Sequence, residues 1–356
     1  MKQPEKIGVA SGKVMTVLGQ RTVDDLGITL MHEHLLFDVS NWWKPATTAM
    51  QIRLSEAPVD ISMVGHLRMH PFLNRDNCKQ LDVNVSIEEV QQFRDLGGAT
   101  VVDPTTLGMS RDPLALQMIS RRTGLNIVMG TGFYLGNSHP DYVRSMSAEQ
   151  IADLIVTDVG GDKIVPPVCA GLIGEIGVSK DFTDEERKVL RGAAQASAKT
   201  TVPLMIHLPG WERLAHEVLD RVEKEGAHLR HVVLCHMNPS LFDFEYQTSL
   251  ADRGAFIEYD MIGMDFFYAD QQAQSPSDEE NAKAITRLIK EGYIKHLLLS
   301  QDVFLKMMLT RYGGFGYAYI LRYFVPRLKR HGVTDFQIHE MLVENPKRVF
   351  ADLDCA

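Results

Sequence analysis

Two histidines separated by one residue lie inside an apolar run at residues 29–38, which reads TLMHEHLLFD. A buried imidazole needs partners for its ring nitrogens, so His32 and His34 are costly in such a place. In an extended strand residues i and i+2 point to the same side. The two imidazoles are therefore expected to face one way and Glu33 the other, and their partners must come from elsewhere in the chain.

Four more polar residues stand at or near the end of other apolar runs, namely Glu175, His207, His236 and Asp302. Imidazole and carboxylate together suit zinc or a similar divalent ion. Six side chains exceed what one tetrahedral zinc needs, whereas a two-metal site with a bridging carboxylate uses them all. The remaining histidines are interpreted as ordinary core or surface residues. Asp103 and Asp260 also end apolar runs and are expected to cap the next element, with a substrate contact as the alternative for Asp260.

The elements that must position these residues are short apolar runs alternating with helical patterns. Eight runs are predicted as strands: 28–37, 99–104, 126–133, 169–178, 202–208, 231–237, 254–260 and 296–302. Most are apolar on both faces, which favours a parallel sheet covered by helices. The S/T-x-x-E/Q pattern that opens helices begins at Ser86, Ser147, Thr183, Ser277 and Thr334.

Eight alternations of strand and helix predict an α/β protein with a (β/α)8 TIM barrel, in which the carboxyl ends of the strands meet at one mouth. An open doubly wound sheet is the alternative, but no G-x-G-x-x-G follows the first strand. Long connections are expected after strand 1 (38–82) and strand 7 (261–276). We expect one domain over 1–356, with its core at about 12–351.

Composition and charge argue against several classes of function. The chain has 356 residues, a formal charge of -9 and no Lys/Arg cluster, which argues against a nucleic-acid partner. Neither a signal-peptide core nor an apolar run of about 18 residues is found, so no membrane role is expected. Cys78, Cys169, Cys235 and Cys355 form no C-x-x-C, which favours a reduced, cytoplasmic protein without a cysteine-based zinc site.

Several segments carry a resemblance to a known family. They are GKVMTVLG (12–19), DLGITLMHEH (25–34), GLIGEIG (171–177), MIHLPG (205–210), VLCHMN (233–238), LLSQDVF (298–304) and ENPKRVF (344–350). Together they resemble the phosphotriesterase family of the amidohydrolase superfamily, and within it the phosphotriesterase-related branch that includes proteins labelled resiniferatoxin-binding. These segments span nearly the whole chain. The resemblance is specific, because motifs from strands 1, 4, 5, 6 and 8 occur in order.

The resemblance implies which residues hold each ion. A buried ion would be bound by His32, His34, Glu175 and Asp302, and a more exposed ion by Glu175, His207 and His236. The best-studied phosphotriesterases bridge their ions with a carboxylated lysine, where this chain has Glu175. Glu175 would then supply the bridging carboxylate without a modified lysine, and true phosphotriesterase activity is not expected.

Two ions that share a hydroxide can supply a nucleophile at neutral pH and polarise the bond to be cleaved, with Asp302 as proton acceptor and Glu175 as the bridge. Tyr134, Asp260, Lys306 and Arg311 are candidate substrate contacts. The resemblance implies Tyr134; packing at the barrel rim is its alternative. Aromatic residues of the long connections, Trp42, Trp43, Phe266, Phe267 and Tyr268, are expected to form an apolar mouth.

The leading hypothesis is hydrolysis of an ester, lactone or phosphoester bond in a small molecule. An N-acyl amide hydrolase using the same ions and a non-catalytic small-ligand-binding protein are the alternatives. Zinc is the favoured metal, and manganese, iron and cobalt tolerate the same ligands. The resemblance also implies a homodimer.

Overall fold

The computed structural model describes residues 12–46, 48–160 and 167–351. An eight-stranded parallel sheet forms its centre, and its strands are hydrogen-bonded in the order in which the chain makes them. These strands are β3 (Thr29–Leu30), β6 (Thr100–Asp103), β7 (Asn126–Thr131), β8 (Leu172–Gly177), β9 (Leu204–His207), β10 (Val232–Leu234), β11 (Phe256–Tyr259) and β14 (Leu297–Leu299). A doubly wound sheet reverses its strand order at a switch point. The sequential order therefore confirms the predicted TIM barrel.

Three antiparallel pairs lie outside the barrel sheet. They are β1 (Lys13–Thr16) with β2 (Gly19–Thr22), β4 (Phe37–Asp38) with β5 (Lys79–Gln80), and β12 (Phe267–Tyr268) with β13 (Ala273–Gln274). The helices are α1 (Ala49–Glu56), α2 (Val64–Met69), α3 (Val83–Asp95), α4 (Pro113–Thr123), α5 (Ala148–Asp158), α6 (Asp184–Thr200), α7 (Ala215–Lys224), α8 (Phe244–Asp252), α9 (Asp278–Lys290), α10 (Val325–Arg330), α11 (Asp335–His339) and α12 (Asn345–Phe350).

Each of the eight predicted runs contains a barrel strand, but the first strand is much shorter than expected. The barrel ladder of β3 ends at Leu30, so His32 and His34 follow the strand and do not lie in it. The backbone amide of His32 donates to the Ser300 hydroxyl, which takes the place of a ladder bond. The expectation that both histidines lie in the strand was therefore wrong. The two imidazoles nevertheless face one way, toward Glu175, and Glu33 faces the other way.

Four of the five predicted helix starts are confirmed, because Ser147, Thr183, Ser277 and Thr334 form reciprocal capping boxes. The fifth was wrong. Helix α3 begins at Val83, where the Asp82 side chain accepts from the amides of residues 84 and 85. Ser86 lies inside the helix, and its buried hydroxyl donates to the carbonyl of Leu35.

Alternate residues of the barrel strands face two different cores. The inner core contains Val102, Val128, Leu172, Met205, Val233, Cys235, Phe256 and Leu298, and the strand residues between them pack against the helices. Glu258 follows Phe256 by two residues in β11 and is fully buried. Side chains two apart in a strand share a face, so the barrel interior changes from apolar to polar toward the carboxyl ends of its strands.

The two long connections contain structure of their own. The segment 38–82 includes helices α1 and α2 and strand β5, and the segment 261–276 contains the β12–β13 hairpin. Cys78, Cys169 and Cys235 form no disulfide bond in the described part of the chain, and Cys355 lies outside it. No helix among the described residues is long and apolar enough to cross a membrane.

Candidate metal centre

The six side chains that the sequence predicts as ligands meet at the carboxyl end of the barrel. Glu175 lies between two sets of imidazoles. Its Oε1 is 3.6 Å from His32 Nε2 and 3.4 Å from His34 Nε2. Its Oε2 is 3.0 Å from His207 Nδ1 and 3.5 Å from His236 Nε2. One carboxylate therefore presents a separate oxygen to each pair of rings.

Asp302 completes the first set of ligand atoms. Its Oδ1 is 3.6 Å from His32 Nε2 and 3.3 Å from His34 Nε2. Both Asp302 Oδ1 and His32 Nε2 are buried without a hydrogen-bond partner. An unpaired buried polar atom is costly unless something binds it. A cation among these atoms would satisfy both, so this set of donors fits a metal ion.

The second set consists of Glu175, His207 and His236. The ring nitrogens His207 Nδ1 and His236 Nε2 face each other at 2.7 Å. Two imidazole nitrogens at this distance need a proton between them or a shared cation. The ligand atoms of Glu175, His207 and His236 all lie close enough together to hold one ion, and so do those of His32, His34 and Glu175.

Buried partners orient three of the four imidazoles through the nitrogen that faces away from the centre. Thr105 Oγ1 lies 2.7 Å from His34 Nδ1. Asp260 Oδ1 lies 3.0 Å from His236 Nδ1, and Asp260 Oδ2 lies 3.3 Å from His32 Nδ1. Such partners fix the tautomer and orientation of a metal-binding histidine. Asp260 is thus fully buried behind the rings, and not at the open mouth expected of a substrate contact.

The carboxylates of the centre favour positive charge on two of its imidazoles. Burial lowers the pKa of His34, but the carboxylates of Asp302 and Glu175 outweigh it and raise the pKa to about 9. Burial likewise opposes the charged form of His236, but Asp260 and Glu175 raise its pKa to about 10. The imidazoles of His32, His207 and His236 hold the pKa of Glu175 well below its usual range against the effect of burial. His34 and His236 are therefore positions at which the carboxylates stabilise a positive charge.

Two of the predicted ligands have a left-handed backbone. The φ angle is 57° at His236 and 48° at Asp302. Non-glycine residues adopt this region rarely, and such residues cluster at functional sites. Each follows the end of its strand, β10 or β14, where the chain turns away from the sheet. The turn brings both side chains back over the barrel mouth.

Glycine is required next to Glu175. Gly174 has φ 132°, and a Cβ there would lie 2.3 Å from the carbonyl oxygen of Met205. A Cβ on Gly177 would lie 2.3 Å from the carbonyl carbon of Tyr134. The glycines of the GLIGEIG segment thus let β8 approach its neighbours closely, and they set the position of Glu175 between the two sets of rings.

The predicted substrate contacts separate into two groups. Tyr134 stands at the centre, with its hydroxyl 3.5 Å from His207 Nε2, and it accepts a hydrogen bond of 3.3 Å from the Trp42 indole. Lys306 pairs with Asp76 at 2.6 Å, and Arg311 pairs with Glu88 at 3.4 Å with its side chain about half exposed. Both basic groups are thus engaged by carboxylates of the first long connection and of α3.

Aromatic rings of the long connections gather around Phe72. Trp42 stacks on Phe72 at 5.2 Å between ring centroids, and Tyr268 and Phe304 approach the same ring at 5.9 and 6.2 Å. Phe266 packs edge-on against Tyr268. Trp43 differs, since its indole donates to Ser55 in α1. The structure therefore brings Trp42, Phe266 and Tyr268 of the expected apolar mouth together.

Sequence reasoning missed four residues in or beside the centre. Thr105 and Phe72 carry no signal in the sequence. Glu258, whose Oε2 lies 3.3 Å from His32 Nδ1, could have been found, because a carboxylate inside the apolar run GAFIEYD needs a partner. Cys235 also lies within ligand distance of His32, Glu258 and Asp260.

A TIM barrel with clustered histidines and carboxylates at its mouth is an arrangement that metal-dependent hydrolases use. Comparison with known proteins identifies the family within this class. The sequence model of the phosphotriesterase family matches residues 12–350, and the chain belongs to that family. N-acetyltaurine hydrolase from Tetraodon nigroviridis is 35% identical over 341 residues, covering 95% of this chain and 97% of that protein.

Two solved structures are similar to this one over nearly the whole chain. A resiniferatoxin-binding protein from Rhodobacter sphaeroides has a TM-score of 0.94 and 54% identity, covering 97% of this chain and 96% of that one. A lactonase from Listeria monocytogenes has a TM-score of 0.75 and 25% identity, covering 95% of this chain and 99% of that one. The chain is a phosphotriesterase-family hydrolase of the metal-dependent type.

Proposed function

We propose that the protein hydrolyses a small N-acyl amide at a binuclear metal centre. The observation that carries this proposal is the division of one carboxylate, Glu175, between two sets of ligand atoms. The choice of an amide over an ester is supported by relatives of nearly the same length that are named N-acetyltaurine hydrolase. An N-acyl amide thus replaces the ester as the leading substrate candidate. The same centre could cleave either an amide or an ester bond.

In this proposal His32, His34, Glu175 and Asp302 hold the first ion, and Glu175, His207 and His236 hold the second. When bound, two divalent ions lower the pKa of water and polarise the carbonyl group of the substrate. Zinc is favoured by the four imidazoles, and manganese, iron and cobalt tolerate the same donors. The chain's own residues then supply orientation and proton transfer.

Asp302 is proposed to move the proton. Its Oδ1 faces the rings of His32 and His34, which leaves Oδ2 for proton exchange. The water oxygen forms the new C–O bond while Asp302 accepts its proton. Asp302 then gives that proton to the nitrogen as the C–N bond breaks, so that a carboxylic acid and an amine leave. General acid–base transfer of this kind contributes about 10²–10⁴-fold to a rate.

Tyr134 and the aromatic rings around Phe72 are proposed to bind the substrate. In this proposal Nδ1 of His207 binds the second ion, so Nε2 keeps the ring proton and can donate it to the Tyr134 hydroxyl, which also accepts from Trp42. The tyrosine proton is then left for a substrate oxygen. Burial raises the pKa of Tyr134 well above its usual value, which keeps that proton in place at neutral pH. The rings would cover the apolar part of the substrate and exclude water.

The test compares turnover of N-acetyltaurine, N-acyl amino acids, lactones and aryl esters by the zinc- or manganese-loaded protein. His207→Ala and Asp302→Asn are expected to lower kcat by at least about 10²-fold. His216→Asn is the matched control, because His216 bonds Ser249 on a helix and is not among the six. Unchanged turnover in the first two variants would exclude this mechanism.

Lactone hydrolysis is the second candidate, and the similarity to a lactonase over 95% of the chain favours it. The substrate panel separates the two. A kcat/KM for lactones at least tenfold above that for every N-acyl amide would assign the protein to lactones. Two bound ions with no turnover of any compound would instead favour the ligand-binding alternative.

A further inference from the structure

Glu33, the residue between the two histidines of the HEH triplet, has no part in the proposed chemistry, yet its carboxylate is fully buried. It points away from the centre and accepts four hydrogen bonds. Oε1 accepts from the Ser300 hydroxyl at 2.8 Å and from the backbone and side-chain nitrogens of Gln301 at 2.9 and 3.1 Å. Oε2 accepts from the backbone amide of Val303 at 2.9 Å.

These contacts bracket Asp302 on both sides. The amides of Gln301 and Val303 are the neighbours of the Asp302 amide, which itself donates to the carbonyl of His32 at 3.1 Å. Asp302 has the left-handed φ of 48°, a conformation that persists only when its surroundings hold it. The carboxylate of Glu33 therefore binds the backbone amides of the residues immediately before and after the strained residue.

The contacts also lie where the barrel closes. In the described part of the chain the sheet runs from β3 to β14 without a backbone ladder between these two strands. Ser300 instead accepts from the His32 amide at 2.9 Å, and its single hydroxyl proton is shared between the His32 carbonyl and Glu33 Oε1, each at 2.8 Å. Glu33 extends this side-chain closure beyond the end of β14, into the segment that carries Asp302.

We propose that Glu33 is a positioning residue, which sets the orientation of Asp302 toward His32 and His34 by binding the amides on either side of it. The proposal rests on the proposed role of Asp302. The structural reason for glutamate at this position is geometric, since two carboxylate oxygens can accept four hydrogen bonds at once. Glutamine offers one oxygen and one NH₂ group, and the latter cannot accept from the Val303 or Gln301 amide.

The experiment compares wild type with Glu33→Gln and with Glu186→Gln. Glu186 is the matched control, a buried glutamate that accepts from the amides of Gly136 and Thr183. Hydrogen exchange, bound zinc per chain and the pH profile of kcat are measured for each. In Glu33→Gln we expect exchange at residues 301–303 to accelerate roughly tenfold or more, and kcat to fall about 10- to 100-fold with KM little changed.

A merely structural role would lower the amount of folded protein but would not move the pH midpoint of kcat. A shifted midpoint and a reduced zinc content in Glu33→Gln, absent from Glu186→Gln, support the proposal. Wild-type values in Glu33→Gln, or the same changes in Glu186→Gln, overturn it. Exchange and zinc content do not depend on the substrate, so they test Glu33 even if N-acyl amides are not hydrolysed.

Wild type alone keeps the proposal testable if Glu33→Gln does not fold. The amides of Gln301 and Val303 lie beyond the end of β14 at Leu299. They should nevertheless exchange as slowly as those of the strand, because Glu33 binds both. Exchange at the rate of an exposed loop would refute the proposal without any variant.

Discussion

Replacement of Asp260 by asparagine is expected to lower the affinity of the protein for both proposed metal ions. Its carboxylate lies 3.0 Å from Nδ1 of His236 and 3.3 Å from Nδ1 of His32, and it accepts from the His236 amide at 2.9 Å. His32 belongs to the first ligand set and His236 to the second. One side chain therefore contacts a proposed ligand of each ion.

The magnitude follows from the hydrogen bonds that the substitution changes. A buried hydrogen bond to a charged group contributes about 1.5–3 kcal/mol. A factor of ten in affinity corresponds to about 1.4 kcal/mol. Asp260→Asn is thus expected to lower the affinity for each ion by roughly 10- to 100-fold. This is the range typical of losing a partner that orients a metal-binding histidine.

The assay is zinc titration of the ion-free protein against a competing chelator, together with steady-state kinetics at saturating zinc. Glu340→Gln serves as the control, because Glu340 is also a buried carboxylate and its partner is Arg348, away from the centre. If Asp260 were instead a substrate contact, the variant would raise KM and leave both zinc affinities unchanged. That outcome would refute the reasoning from the ring contacts.

Four further predictions concern the same centre. Thr105→Val removes the partner of His34 Nδ1. It should lower the affinity for the first ion about tenfold and leave the affinity for the second ion unchanged; an equal loss of affinity at both sites in a zinc titration would contradict this. Tyr134→Phe keeps the ring and removes the hydroxyl beside His207, so kcat/KM should fall with zinc content unchanged; a loss of zinc would assign Tyr134 to metal binding. Chelation should lower the free energy of unfolding by about 2.7 kcal/mol for each ion held at 100 times its Kd, and identical denaturant midpoints with and without chelator would refute a resident ion. Zinc affinity should rise with pH between 6 and 9, because zinc must displace the protons held by His34 and His236 at pKa values of about 9 and 10; competition titrations that show no pH dependence would contradict those shifts.

The sequence by itself determined the barrel and the identity of the converging residues. Apolar runs that end in Glu175, His207, His236 and Asp302 carry enough information, because parallel strands in a barrel must bring their carboxyl ends together. Four capping boxes marked helix starts correctly, since that signal is local. The box at Ser86 failed because the Asp82 side chain caps the helix one turn earlier.

Tertiary structure decided what supports those residues. Thr105, Asp260 and Glu258 reach the histidines from other strands, and their roles depend on side-chain geometry that no spacing along the chain encodes. Lys306 and Arg311 looked available as single basic residues, but neighbours distant in sequence engage both. Glu33 shows the difference most clearly. The sequence places it opposite the two histidines, and only the folded chain reveals that it binds the amides around Asp302 across the closing strands of the barrel.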